Sequence, residues 1–187
     1  GIVAKVSKVQ DDGMVEVDAG KVELGQGLAT TQLQIAADEL DLAPGQIRLR
    51  LGDTAHGPDQ GLTAGSLSTE VGAMALRRVC AEVRALFVLA AAARLDVPVS
   101  EVEVALGRFS GAGRSLSYAD LAAGVDLDRA ATGDATPKPA AERRVAGQSL
   151  PRPDLQRKLF GAGFIHDLEW PGMLHGRVVR PPSCATQ

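Results

Sequence analysis

The sequence has few aromatic and cysteine side chains, and it contains no long apolar run. Aromatic residues make up only 3% of the 187 positions, so the core must be built from Val, Leu, Ile and Ala within the 45% hydrophobic content. The two cysteines, Cys80 and Cys184, form neither a disulfide framework nor a metal-binding spacing. The densest apolar run, residues 86–93, lies between Arg84 and Arg94 and is too short to span a membrane.

A basic surface and a signal peptide are also missing from the sequence. The net charge is −3 and the arginines are scattered, which argues against binding of nucleic acid. The chain begins at Gly1 with neither a basic n-region nor an apolar h-region, so we expect no signal peptide and a cytoplasmic location. A chain of this length is sufficient for one domain, or for one domain and part of another.

Glycine, in contrast, is abundant, and three glycines fall within residues 20–27, whose sequence is GKVELGQG. This loop follows a strand-like run and leads into a helix-like one. A glycine loop at a helix N-terminus directs free N–H groups and the positive end of the helix dipole towards whatever binds there. Gln26 adds an amide that both donates and accepts hydrogen bonds. The loop therefore suits a polar, anionic ligand, although a tight strand-to-helix turn without a ligand has the same pattern.

The elements around this loop can be predicted from local patterns. Two valine-rich runs within residues 3–18 flank an Asp-Gly pair, which is a strong signal for a β-hairpin. After the loop, Thr30 or Thr31 can cap a helix whose apolar positions recur at helical spacing over residues 33–40. The alternating residues 47–51 then predict a half-buried strand.

A second polar, glycine-rich loop precedes a long helix. Residues 52–65 are poor in apolar side chains, and Ser68 can cap a helix over residues 69–95. A strand over residues 102–106 follows that helix. The second loop thus has the same position relative to its helix as the first.

An internal repeat relates the two helix–strand units. Residues 40–52 align without gaps on residues 95–107, and both run from a helix end through a short break into an alternating strand and a glycine. Two such units after a hairpin give the order β-β-α-β-α-β. This order predicts an α+β, two-layer domain over residues 1–123, with both helices on one face of a sheet and the two polar loops at the same edge.

The remainder of the chain changes in composition. Residues 124–146 are rich in Ala, Asp, Thr and Pro without periodicity, and we interpret them as a linker. Residues 147–187 contain strand candidates at Phe164-Ile165 and at residues 176–180. We expect this segment to be the beginning of a second, truncated domain.

Three segments of the chain resemble the large, molybdopterin-binding subunit of the xanthine dehydrogenase and aldehyde oxidase family. Residues 20–27 are similar to its E-x-G-Q-G pterin loop, residues 53–69 to its second cofactor loop and helix start, and residues 147–180 to the opening of its α/β hammerhead domain. The pterin segment precedes the hammerhead segment, as in the isoquinoline 1-oxidoreductase and nicotinate dehydrogenase-like branch. Together the three segments span most of the chain.

The resemblance implies a molybdenum cofactor with a pterin dithiolene, in this branch molybdopterin cytosine dinucleotide. The cofactor-binding residues that it implies are Gly25, Gln26, Gly27, Thr63, Ala64, Gly65, Ser66, Leu67 and Ser68. Gln26 would hydrogen-bond the cofactor near the metal or the pterin, and Gly65 would lie closest to the metal. Both loops are rich in donors and poor in charge, so we expect them to bind a phosphate and a polar heterocycle without a buried lysine.

The resemblance further implies hydroxylation of a small-molecule substrate, an aldehyde or N-heterocycle, with oxygen from water. Electrons would leave through 2Fe-2S clusters on a partner subunit or domain, because two cysteines cannot provide the four thiolates of each cluster. The chain lacks the family's Gly-Glu pair, which carries the catalytic base, and its Phe-Gly-Gly motif. We therefore expect a fragment without catalytic or metal-ligating residues, inactive without the rest of the large subunit and the iron–sulfur subunit. For this branch a periplasmic location is also compatible.

Two other classes of function fit the same residues. One is a non-catalytic interaction or assembly domain that keeps the fold, and the other is a simple phosphate- or nucleotide-binding module built from the two loops. The histidines His56, His166 and His175 show no metal-ligand spacing. Asp53 is expected to brace its own turn, and Cys80 to pack as a small hydrophobic side chain.

Overall fold

The structure is a computed structural model that describes residues 4–161 and 167–183. The chain divides into two compact units between Pro153 and Asp154. The first unit contains both polar loops, two small sheets and the long helices. This mixture of separate helices and sheets confirms the predicted α+β class.

Strands β1 (Lys5–Val9), β2 (Val15–Ala19) and β3 (Ile47–Leu51) form the first sheet. The central strand β2 is antiparallel to β1 and parallel to β3. The predicted β-hairpin is confirmed, with Gly13 at a φ of +85° in its turn. A parallel pair requires a crossover connection, which helix α1 (Leu28–Leu40) provides.

Helix α1 packs against a longer helix, α2 (Met74–Leu95), and both contact the first sheet. A π-helical turn at Ser68–Ala73 leads directly into α2, so the helix predicted over residues 69–95 is confirmed with an irregular start. Burial of each aliphatic side chain between these layers contributes about 1.5–3 kcal/mol. The fully buried side chains at this contact include Val15, Val17, Ala36, Leu40, Leu76 and Cys80.

A second, antiparallel sheet consists of β4 (Glu103–Ala105), β5 (Arg108–Gly111) and β6 (Arg114–Ser117). The order β-β-α-β-α-β is present, but the prediction that its strands share one sheet is wrong, because β4 pairs with β5 instead. The reason is local. Leu106 and Gly107, at φ values of +50° and +78°, reverse the chain directly after β4.

The few aromatic side chains connect the second sheet to the helices. Phe87 of α2, Phe109 of β5 and Tyr118 of the short helix α3 (Tyr118–Ala122) have ring centroids 4.6 to 6.1 Å apart. The Tyr118 hydroxyl donates a hydrogen bond of 2.8 Å to the carbonyl oxygen of Leu40 at the end of α1. One aromatic cluster therefore compensates for the low aromatic content at the place where the layers meet.

The internal repeat is reproduced in the backbone. Both long helices end on an aspartate in the left-handed region, Asp41 at a φ of +54° and Asp96 at +58°. Aspartate adopts this conformation more readily than most residues. Gly52 and Gly107, which close the two copies, also take positive φ values of +61° and +78°. The repeat thus specifies the same helix end twice, although the strands that follow belong to different sheets.

The helix starts differ from the prediction. Helix α1 begins directly after Gly27, which has a φ of +82°, so neither Thr30 nor Thr31 is its N-cap. The π-helical turn begins after Leu67, so Ser68 lies inside the turn and does not cap it. In both cases the chain turns into the helix at the end of a glycine loop and needs no hydroxyl cap.

The predicted linker, residues 124–146, contains one short 3-10 turn at Ala140–Glu142 and belongs to the first unit. Within residues 132–148, which we call the strap, backbone N–H groups donate hydrogen bonds to buried helix carboxylates. Glu82 accepts from Thr132 and Gly133, Glu39 accepts from Lys138, and Asp38 accepts from Arg144, Val145 and Ala146. These donors offset the cost of burying three charges. The boundaries predicted between residues 1–123, 124–146 and 147–187 stay a prediction.

The described part of the second unit contains a single short helix, Leu155–Leu159. The strand predicted at residues 176–180 is wrong, because those residues pair with no other strand in the described part of the chain. The other strand candidate, Phe164-Ile165, lies outside the described residues, and so do His166 and Cys184.

Candidate functional site

The two polar loops lie side by side, as the repeat predicted. We call residues 20–27 the first loop and residues 52–67 the second loop. The N–H groups of Gly20 and Lys21 both donate to Oε1 of Gln60, at 3.0 and 3.2 Å. The N–H of Val22 donates to Oγ1 of Thr63 at 3.0 Å. Two side chains of the second loop, Gln60 and Thr63, thus accept hydrogen bonds from backbone N–H groups of the first loop.

Lys21 contributes a further link between the loops. Its side chain is buried, and its ammonium group donates to the carbonyl oxygen of Leu62 at 2.6 Å. The expectation that these loops bury no lysine is therefore wrong. The lysine stem packs over Gly72, where an added Cβ would lie 3.2 Å from Cγ of Lys21. The charge of Lys21 is used within the protein and holds the second loop in place.

Gly20 is required by the close approach of the loops. A Cβ at this position would lie 2.0 Å from the carbonyl oxygen of Pro58 and 2.9 Å from the backbone nitrogen of Gln60. Backbone atoms cannot move aside as the end of a flexible side chain can. The sequence identified Gly20 as part of a glycine loop. It did not indicate the contact partner, since Gln60, which accepts the Gly20 N–H, lies 40 residues further along the chain.

The start of α1 is occupied by a carboxylate of the protein itself. Glu23 accepts hydrogen bonds from the N–H groups of Gly25 at 2.7 Å, Gly27 at 3.0 Å and Ala29 at 2.8 Å. Partial burial raises the pKa of Glu23, but these backbone donors together with Arg152 hold it below its usual value. The resulting stabilisation is present at neutral pH and is lost as the pH falls through this lowered pKa.

Gln26 is exposed, and its amide is turned back onto its own loop. Its Oε1 accepts from the N–H of Leu24 at 2.5 Å, and its Nε2 donates to the carbonyl oxygen of Val22 at 3.0 Å. Gly25 and Gly27 have φ values of +108° and +82°, and an added Cβ would meet no atom within 4 Å at either position. The loop is thus folded around internal hydrogen bonds and has open space beside both glycines.

The second loop offers backbone donors at the other side of the site. Ala64, Gly65 and Ser66 are exposed, and none of their N–H groups has an acceptor among the described residues. Gly65 and Ser66 have φ values of +60° and +61°. For a serine this conformation is strained, and such strain is concentrated at functional sites. Ser68, in contrast, is buried at the start of the π-helical turn, another feature that is common at functional sites.

Exposed apolar side chains surround these donors. Their members on the two loops and the first turns of the following helix are Val22, Leu24, Leu62, Leu67, Val71 and Met74. A polar donor set inside an apolar rim is typical of ligand sites, which are mainly apolar with a few polar groups that fix orientation. A contiguous set of exposed apolar side chains is also typical of a surface that binds a ligand or another protein segment.

The remaining candidates have structural roles. Asp53 braces its turn as predicted, because its carboxylate accepts from the N–H of Ala55 at 2.8 Å and contacts Nδ1 of His56 at 3.1 Å. The hydrogen bond from Ala55 is the main reason that the pKa of Asp53 is lowered. Burial raises the pKa of the Cys80 thiol, which packs in the core. Across the described ranges, no group of three or more His, Cys, Asp or Glu side chains could hold a metal ion. None of the helices described combines the length and apolarity needed to cross a bilayer.

Replacing Thr63 by valine is expected to loosen the contact between the loops. The substitution keeps the shape of the side chain but removes the acceptor of the Val22 N–H. The free energy that stabilises the contact between the loops should fall by about 1 kcal/mol. The Val22 amide should then exchange its hydrogen about fivefold faster than in the wild type. Thr63→Ser, which keeps the hydroxyl, is the control and should exchange at the wild-type rate. Equal exchange in the valine and serine variants would show that the hydrogen bond contributes nothing.

The α+β fold places two polar loops side by side, each at the start of a helix, an arrangement suited to binding a polar ligand. The particular family is defined by sequence. A model of the molybdopterin cofactor-binding domain matches residues 4–150, and the chain belongs to that family. The family resemblance is thereby confirmed for the first two segments, residues 20–27 and 53–69, whereas the hammerhead resemblance of residues 147–180 stays a prediction.

Three similar proteins are dehydrogenases by name. The chain is 39% identical to a nicotinate dehydrogenase subunit of Pseudomonas putida over 176 residues, 93% of this chain and 15% of that protein. It is 30% identical to a membrane-bound aldehyde dehydrogenase (pyrroloquinoline-quinone) of Gluconacetobacter polyoxogenes over 183 residues, 94% of this chain and 23% of that protein. The CO dehydrogenase from Oligotropha carboxidovorans superimposes with a TM-score of 0.56 and 28% identity, over 63% of this chain and 15% of that one. The chain thus spans less than a quarter of each of these proteins.

Proposed function

We propose that this chain is part of the large subunit of a molybdenum hydroxylase, which oxidises an aldehyde or N-heterocycle with oxygen from water. The two adjacent donor loops carry the proposal, since they would form one wall of the pterin site. The names of two relatives, a nicotinate dehydrogenase and an aldehyde dehydrogenase, support this substrate class. The similarity to enzymes that are dehydrogenases by name favours this proposal over an interaction domain without chemistry.

The residues of the two loops fit a pterin cofactor. The N–H groups of Ala64, Gly65 and Ser66 are without acceptors in the described chain and would bind oxygen or nitrogen atoms of a polar heterocycle or phosphate. The open space beside Gly25 and Gly27 would admit the ligand close to the backbone. We propose the full set of contacts as Gly25, Gln26, Gly27, Thr63, Ala64, Gly65, Ser66, Leu67 and Ser68.

The task of this chain in the reaction is to bind and orient. The bound molybdenum would supply the redox chemistry that adds oxygen to the substrate. The second-loop N–H groups would fix the position of the cofactor, and the apolar rim would exclude water from it. The Gln26 amide would exchange its hydrogen bonds inside the loop for bonds to the cofactor. Catalytic residues would come from the rest of the large subunit.

Several finer points belong to the same proposal. The cofactor would be the cytosine dinucleotide form, and electrons would pass to 2Fe-2S clusters on an iron–sulfur subunit. Residues 1–123 would form the cofactor-binding domain, residues 124–146 its connection, and residues 147–187 the beginning of the hammerhead domain. The enzyme would act in the cytoplasm, with the periplasm as the alternative for this branch.

The cofactor content of the full-length protein tests the proposal. Purified protein should contain molybdenum in equimolar amount, with a pterin released on denaturation. Gly65→Val, which fills the loop beside the donors, should lose both. Gly113→Val is the matched control, since Gly113 also has a positive φ, +72°, and nothing within 4 Å of an added Cβ. Folded wild-type protein that carries pyrroloquinoline quinone instead of molybdenum, or an open reading frame that stops shortly after Gln187 with no companion subunit, would contradict the proposal.

A further inference from the structure

We infer that Glu23 is a positioning residue that holds the Gly25–Gly27 turn in shape and thereby sets the place from which Gln26 meets the cofactor. The inference rests on the proposed function, because it concerns the same pterin site. It assigns a role to a side chain that the cofactor-contact set does not contain.

The geometry that carries this inference is the number of donors that one carboxylate binds. Oε1 of Glu23 accepts from the N–H groups of Gly25 and Gly27, and Oε2 accepts from that of Ala29. These three residues span the turn and the first residues of α1. The two residues on either side of Gln26 are therefore tied to one anchor, and Gln26 lies between them.

A second contact acts on the same turn from a distant part of the chain. The guanidinium group of Arg152 donates to the carbonyl oxygen of Gly25 at 3.1 Å and lies 3.9 Å from Oε1 of Glu23. The side chain of Glu23 is only 13% exposed, so solvent cannot easily replace these bonds. The turn is thus held from its N–H side by Glu23 and from its carbonyl side by Arg152.

One consequence concerns which loop can bind an anion. At the start of α1 the N–H groups of Gly27 and Ala29 are already bound to a charged carboxylate, which would also repel a phosphate or another anion. The first loop can contribute the Gln26 amide and open space, and the charge of Glu23 makes its helix start less favourable for an anion than the sequence suggests. The second loop contributes three N–H groups that have no acceptor among the described residues, those of residues 64–66.

The test compares Glu23→Gln with the wild type in the full-length enzyme. The variant keeps the length of the side chain but replaces one carboxylate oxygen by an NH₂ group, which cannot accept from an N–H. The loss of a hydrogen bond to a charged group should raise the equilibrium constant for local opening of the turn by about 10- to 100-fold. Amide exchange in peptides that cover residues 24–30 should accelerate by at least about tenfold, and the cofactor should dissociate faster by a similar factor. The Mo(V) electron paramagnetic resonance signal of the remaining loaded enzyme should change in shape.

Two further variants separate positioning from general destabilisation. Glu23→Asp keeps the charge and should restore part of the exchange protection and cofactor retention. Asp120→Asn is the matched control, because Asp120 is a carboxylate that accepts the N–H of Ser117 at the start of α3, away from both loops. It should leave cofactor retention and the Mo(V) signal unchanged.

The outcomes distinguish this inference from the proposed function. If Glu23→Gln leaves exchange in residues 24–30 unchanged, Glu23 does not hold the turn. If exchange accelerates but cofactor retention and the Mo(V) signal stay as in the wild type, the turn does not position the cofactor. Both results overturn the inference while a loaded wild-type enzyme upholds the proposed function. A wild type without molybdenum overturns the proposed function itself, and with it the positioning role.

Discussion

Gly20→Ala is expected to separate the two loops at a cost of about 3 kcal/mol, at the upper end for an overpacked site. The added methyl group would lie 2.0 Å from the carbonyl oxygen of Pro58, so the backbone of one loop has to move. Movement withdraws the N–H groups of Gly20 and Lys21 from Gln60, which accepts both. Amide exchange of residues 20–22 should accelerate about 100-fold, and molybdenum content should fall.

Gly45→Ala serves as the control for Gly20→Ala. Gly45 lies in a 3-10 turn with no atom within 4 Å of an added Cβ, and its φ is not positive. The same change in composition should therefore leave exchange and molybdenum content unaltered. Wild-type exchange in the Gly20→Ala protein would mean that the loops are further apart than the structure places them.

Glu39→Ala is expected to release the strap and to destabilise the first unit by about 3–5 kcal/mol, the usual cost of removing one partner from a buried ion pair. The Glu39 carboxylate accepts from Nε of Arg77 at 2.8 Å and from the backbone N–H of Lys138 at 3.0 Å. Its removal leaves a mostly buried guanidinium group without its carboxylate and a buried N–H without an acceptor. Amide exchange in residues 132–148 should accelerate most, followed by that of α2 near Arg77.

The control for Glu39→Ala lies in the strap itself. Glu142→Ala removes the same charge from an exposed side chain in the 3-10 turn, and strap exchange should remain as in the wild type. Glu39→Gln should fall between the two, because the amide oxygen can still accept one of the two bonds. If Glu39→Ala and Glu142→Ala behave alike, the strap is held by contacts other than this carboxylate.

Features encoded by neighbouring residues could be predicted from the sequence. The hairpin follows from its Asp-Gly turn, and the two equivalent helix ends at Asp41 and Asp96 follow from the repeat. Both depend on backbone conformations that a few consecutive residues decide. The position of the two loops beside each other also followed, because the order of helices and strands limits where loops can lie.

Features that depend on partners far along the chain could not be predicted. The sequence of the strap has no periodicity from which its structure could be predicted. It is held by hydrogen bonds from its backbone N–H groups to Asp38, Glu39 and Glu82. The sheet to which β4 belongs was missed for a related reason. The alternation of residues 102–106 predicts a strand but carries no information on its neighbour.

The candidate site shows the same limit. Glycine spacing located the first loop and the family resemblance located the second. The role of Glu23 was not predicted, because an acidic residue inside a glycine loop has the same pattern whether it faces solvent or caps the helix that follows. The buried Lys21 was missed as well, since its acceptor, the carbonyl oxygen of Leu62, lies 41 residues further along the chain.

The strap has a consequence for the order in which this region is completed during translation. Asp38 precedes its donor Arg144 by 106 residues, Glu39 precedes Lys138 by 99, and Glu23 meets Arg152 later still. A ribosome adds roughly 5–20 residues per second. The strap N–H groups that bind the two helix carboxylates are therefore synthesised about 5–20 s after the carboxylates themselves. Until then these carboxylates lack the backbone donors that the strap provides. The end of α1 at Asp38 and Glu39 and its start near Glu23 therefore acquire these contacts only after residues 138–152 have been synthesised.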